Sequence, residues 1–180
     1  MTAEADRIWR REGIALRWPA PTTPSESAPL RAMVYERREA AGSGTDDRWA
    51  VAELVPQSGR RALAVASIAG AERVLLEARK RRTLLLERPE PAEYRLGVVL
   101  GRAVAHEIGH FLLDTATHAD SGLMRAAIDA GEFADPGART FALDDVAAKW
   151  LRGQLSQIAE ELIPPGAFTY TEQAAESVAP

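Results

Sequence analysis

The chain has 180 residues, 46% of them hydrophobic and 27% charged, a globular composition at a length that suits one domain. It has no cysteine, which excludes disulfide scaffolds, thiol nucleophiles and cysteine-bound zinc. The 22 basic and 26 acidic residues leave a net charge of −4, which argues against a nucleic-acid partner, and no run of about 18 apolar residues is present to suggest a membrane span.

The first segment, MTAEADRIWRREG, carries acids and arginines where an export signal needs an apolar stretch. A soluble chain is therefore expected, cytoplasmic as it stands or exported with a signal segment already removed. The same segment has the pattern of a short helix, with Ile8 and Trp9 as apolar contacts and Gly13 as the stop. Residues 14–18 (IALRW) read as a first strand ended by Pro19, and 19–29 as a loop rich in Pro, Ser and Thr. Further strands are expected at 30–37, 49–55 and 63–68, with a loop at 41–47 and a hairpin-type connection through PQSGR. A helix over 71–80 and a short buried strand over 83–86 follow.

The strongest helical signal covers Ala92–Leu113. Apolar residues at 96, 99, 100, 103, 104, 108, 111 and 112 lie on one side of a helical wheel, behind Pro89 and Pro91. Residues 117–124 are a turn-rich connection. A final helix over 140–157 has Thr140 as its cap and Val146, Trp150, Leu151 and Leu155 facing inward. The tryptophans at 9, 18, 49 and 150 read as packing residues, and Arg79-Lys80-Arg81-Arg82 as a solvated helix end. Asp46-Asp47 and Asp144-Asp145 read as loop and helix-start charge. The elements together predict an α+β domain over 1–163 and a loose polar tail over 164–180.

All three histidines, His106, His110 and His118, fall within 13 residues, and the first two belong to the string HEIGH. Positions i and i+4 of a helix share a face, so two imidazoles there can hold one tetrahedral metal, and Glu107 can reach its bound water. A catalytic zinc takes three protein ligands and keeps the fourth position open. His118, a neutral nitrogen donor just past the helix, is the first candidate for the third ligand. Glu132 is the second, with Asp114 and Asp120 behind it; Asp114 can equally cap the helix or hydrogen-bond a ligand. A helix with two surface histidines would make no use of Glu107 in this arrangement.

The segment HEIGHFLLDTATHADSGLM (106–124) resembles the zincin metallopeptidases and, among them, the metzincins, whose motif is HExxHxxGxxH followed by a methionine-containing turn. With the preceding GRAVA it is also similar to a group of small bacterial proteins with metzincin-like sites. The resemblance implies His106, His110 and His118 as zinc ligands, Glu107 as general base and Met124 as the turn methionine. It implies a zincin-like domain, a small mixed sheet with an active-site helix carrying HExxH. Two departures stand out. Leu113 occupies the place of the motif glycine, and the third histidine comes two residues late. The chain is therefore expected to leave the helix by a different turn, over 114–117.

The activity so implied is peptide-bond hydrolysis. Zinc held by three neutral histidines lowers the pKa of water from about 16 to near 7, and Glu107 takes its proton and passes it to the leaving amine. The peptide or protein substrate is expected to lie along an edge strand, for which 83–86 and 63–68 are the candidates. The alternative is a zinc-containing peptide-binding module with little or no hydrolytic activity.

Overall fold

The computed structural model describes residues 1–18, 28–35, 51–59, 61–80 and 90–162. Along them run α1 (Thr2–Arg10), β1 (Leu30–Tyr35), β2 (Ala52–Gln57), β3 (Arg61–Ser67), α2 (Ile68–Lys80), α3 (Ala92–Leu113), α4 (Ala130–Ala134) and α5 (Asp145–Leu162), a mixed α+β arrangement. The expected loop at 41–47, the strand at 83–86 and the tail at 164–180 lie outside the described residues, as do Trp49, Arg81 and Arg82.

The sheet is small and mixed, with β3 in the middle, β1 parallel to it and β2 antiparallel. Gln57 pairs with Arg61 across the β2–β3 hairpin, whose turn includes Gly59 at φ +71°, backbone that glycine adopts without strain. Strand β2 runs through Pro56, which an edge strand tolerates because it lacks a neighbour to bond on its outer side. Strand β3 is buried at Ala62, Ala64, Val65 and Ala66, as a central strand should be. It therefore cannot offer the free edge expected of 63–68. Among the described residues β2 has the open edge nearest the histidines. Helix α2 follows β3 directly: the Ser67 hydroxyl accepts the Gly70 amide at 3.1 Å, so the helix begins three residues before its apolar periodicity does.

Helix α3 is the hub, packed by α1, α2, α4, α5 and the sheet. Although polar residues interrupt it, its 22 residues and hydropathy of 1.3 suffice to cross a membrane by length and composition, but 67% of that apolar window is buried inside the protein. That burial accounts for the composition as core. Helix α1 lies close along α3 because Gly101 has no side chain; a Cβ there would come within 2.6 Å of the Glu4 Cβ. Trp9 is fully buried and donates its indole N–H to the Ala105 carbonyl at 3.2 Å. Arg102 is also fully buried, an expensive place for a charge unless every donor is occupied. Its guanidinium donates to the Glu4 carboxylate at 2.9 Å and to the carbonyls of Glu132 and Phe133 at 3.0 and 2.9 Å, and stacks 4.0 Å over the Phe141 ring. One side chain thus ties α1, α4 and the chain before α5 to the hub.

Three local expectations are corrected. Residues 14–18 form no strand: Ile14, Leu16 and Trp18 pack on the core while Ala15 and Arg17 are exposed, but no ladder pairs them among the described residues. Helix α5 starts at Asp145, not Thr140, because Asp144 Oδ1 accepts the Ala147 amide at 2.7 Å while the Thr140 hydroxyl donates to Glu132. Its inner face is Ala148 and Leu151; Val146 and Trp150 fall on the opposite side of the wheel and are 80% and 44% exposed. The short helix α4 has no apolar periodicity to announce it, and is set by Asp129, whose Oδ1 accepts the Gly131 amide at 2.8 Å.

Candidate metal centre

Helix α3 places His106 and His110 on one face, one turn apart, and the loop beyond it returns His118 to them. The three ring centroids lie 4.6, 4.9 and 5.3 Å apart, and one ligand nitrogen from each falls within 4.8 Å of the others. These three are the group of metal-ligating side chains that the described residues bring together.

The hydrogen bonds decide the tautomers. His106 Nδ1 faces the Leu123 carbonyl at 2.8 Å, and His110 Nδ1 faces the Thr115 carbonyl at 2.7 Å. A carbonyl only accepts, so both Nδ1 atoms carry the proton. Both Nε2 atoms are then bare, and they face each other at 3.0 Å. Burial also holds both rings away from the charged form: it pushes His106 down to about 4, and it lowers His110 in the same direction. Two lone pairs turned on each other at that distance repel unless a cation sits between them. Two nitrogens of one tetrahedral zinc are expected about 3.3 Å apart, given bonds of about 2.0–2.1 Å. The donor set therefore fits a metal, and the carbonyls fix ring orientation as outer partners of metal-bound histidines do.

The loop that completes the set is held from several sides. Asp114 ends α3 in the left-handed region (φ +48°), one residue after the place of the motif glycine, and its amide bonds to the His110 carbonyl. The Thr115 and Thr117 hydroxyls lie 2.8 Å apart, directly before His118. Gly122, at φ +74°, turns the chain so that the Leu123 amide reaches the Ala142 carbonyl at 2.6 Å and the Leu123 carbonyl faces His106. Met124 follows and is 3% exposed. Its thioether rests on Gly109, inside HEIGH: a Cβ on Gly109 would overlap the sulfur and stand 3.0 Å from the methyl. The glycine in that string is thus the seat for Met124.

A cleft of about 960 Å³ opens in front of the triad, between α3, α2, the edge of β2 and the 114–130 segment. Glu107 faces it, 8% exposed, with its carboxyl pushed up to about 7 by burial and, after that, by the charge of Glu53 on β2. Glu53, the two carbonyl acceptors and the Gly109 seat are absent from the sequence reading. Only the glycine could have been noticed, because the others depend on which strand and which loop come alongside.

Glu132 is not placed as a ligand. Its carboxylate is bonded by Arg125 at 2.5 Å and by the Thr140 hydroxyl, and the Arg125 bond holds it below the usual carboxylate range. Asp114 lines the cleft at the helix end, and Asp120 is exposed; neither joins the triad. The fold and donor set thus define an α+β protein able to hold one metal ion through three histidines. The chain matches no protein-family model, no curated protein and no solved structure.

Proposed function

We propose that the chain is a zincin-like metallopeptidase, using zinc at His106, His110 and His118 to hydrolyse peptide bonds. The observation that carries this reading is the pair of bare Nε2 atoms facing each other at 3.0 Å, with Glu107 beside them at the wall of an open cleft. When bound, zinc supplies Lewis acidity that polarises the carbonyl and lowers the pKa of the attacking water. Glu107 accepts the proton of that water and delivers it to the leaving amine, a role for which a carboxyl near neutrality suits. The Leu123 and Thr115 carbonyls hold both rings in the Nδ1–H form and aim their Nε2 atoms at one point, while burial keeps the rings neutral. The edge of β2 that is open among the described residues lines the cleft from Ala52 to Leu54 and offers backbone groups to an extended peptide.

One observation favours the alternative, a zinc-containing peptide-binding module. The arginine of the cleft wall, Arg125, is engaged by Glu132, so it is not free to stabilise an oxyanion. The deciding experiment compares zinc-loaded wild type with Glu107→Gln on an unstructured protein substrate. An amide still hydrogen-bonds water but takes no proton, so the variant should keep its zinc and lose about 10²–10⁴-fold in rate. Wild-type protein that binds peptides but cuts none would establish the binding module instead.

A further inference from the structure

The cleft in front of the triad is unevenly charged. Among the described residues its wall carries Glu53, Glu77, Glu107, Asp114 and Asp129 against a single arginine and no lysine. That arginine, Arg125, is already matched by Glu132 at 2.5 Å. Of the acids, Glu107 belongs to the proposed chemistry, Glu77 faces Lys80 at 3.6 Å, and Asp129 caps α4. Glu53 differs from these. It is exposed near the start of the edge strand β2, has no cationic partner among the described residues, and lines the same cleft as Glu107.

A peptide added to β2 as a further strand would lie about 4.8 Å from it, with the residue opposite Glu53 within about 5.5 Å, Cβ to Cβ. Because Glu53 and Glu107 line one cleft, that residue lies near the peptide bond that Glu107 would serve. Resting on the peptidase reading above, we propose that Glu53 is a specificity-determining residue that selects peptides with a lysine or arginine beside the bond presented to Glu107. An ammonium or guanidinium there offsets the repulsion between two neighbouring carboxylates, whereas an acidic side chain adds to it. The remaining wall acids act in the same direction at longer range.

The test uses the full zinc-loaded chain and three fluorescent peptides that differ only in a central Lys, Gln or Glu, with binding read by anisotropy and cleavage by chromatography. Wild type should bind the Lys peptide about tenfold more tightly than the Gln peptide, and the Glu peptide least, a preference that shrinks in about 0.5 M salt. Glu53→Gln should cut the preference to about threefold or less. Glu72→Gln makes the same change in net charge on an exposed residue of α2 outside the cleft, and should keep the full preference. Equal binding of the three peptides by wild type, or an undiminished preference in Glu53→Gln, overturns the assignment. Preferential binding lost in Glu53→Gln supports it even where no peptide is cut, an outcome that removes only the peptidase reading.

Discussion

Gly109→Ala tests whether the seat of Met124 matters to the metal centre. The new methyl would overlap the Met124 sulfur and lie 3.0 Å from its terminal methyl, and Trp9 stands 3.6 Å away on the other side, so the added carbon has no empty space to enter. Overpacking of this kind costs about 1–3 kcal/mol, against about 1 kcal/mol gained by replacing a helical glycine with alanine. The metal-free variant should therefore be about 1 kcal/mol less stable than wild type in urea. The larger effect falls on zinc. Close packing around the buried Met124 passes the displacement to the turn whose Leu123 carbonyl holds His106 Nδ1 at 2.8 Å. Losing such an outer partner costs about 10–100-fold in affinity, which competition with a chromophoric chelator would resolve. The double variant Gly109→Ala/Met124→Ala removes the clash and should recover most of that affinity, a coupling a double-mutant cycle reports directly. A Gly109→Ala protein that is more stable than wild type and binds zinc equally well would refute the reasoning.

Other outcomes follow from the same contacts. His118→Ala should lower zinc affinity by at least about a hundredfold, while Glu132→Ala, whose carboxylate serves Arg125 and Thr140, should leave it within a few-fold; chelator competition on both reads the difference. Arg102→Met strands two backbone carbonyls in the interior and leaves Glu4 to Arg7 alone, and should cost about 2–4 kcal/mol in urea denaturation. Glu4 sets a pH dependence. Burial works to raise its carboxyl, but bonds from Arg7 and Arg102 outweigh this and hold it below its ordinary 4.5. Its stabilisation is therefore present above that value and lost as the pH falls through the lower folded one. The stability gap between wild type and Glu4→Gln should be widest at neutral pH and close in acid below 4.5, as a urea series over pH would show.

The sequence was most legible where one element decides the outcome alone. The HEIGH helix reads directly because its apolar stripe and its histidines share one period, and His118 needed only to be near in sequence. Helix α1 stops before Gly13, and the β2–β3 hairpin turns at PQSGR, for equally local reasons. The errors arise where tertiary partners decide. The alternation at 14–18 is present in the burial, but a strand needs a neighbour that the pattern cannot supply. Residues 63–68 look like any apolar strand, and only the register with β1 on one side and β2 on the other makes them central. Val146 and Trp150 point inward on hydrophobicity alone, yet the small Ala148 joins the expected Leu151 on the inner face. Glu132 had the right chemistry for a ligand, and its engagement by Arg125 becomes visible only once α4 and the Met124 turn are side by side.

In the proposed site His106, His110 and His118 hold one metal through their ring nitrogens. Zinc-edge X-ray absorption on the full chain loaded with one equivalent of zinc tests it most directly. The expected spectrum is that of a four-coordinate site with three imidazole nitrogens at about 2.0–2.1 Å and one further light atom, with one imidazole lost in His118→Ala. A spectrum with fewer than three imidazoles, one unchanged in His118→Ala, or a chain that retains no zinc after dialysis would contradict it.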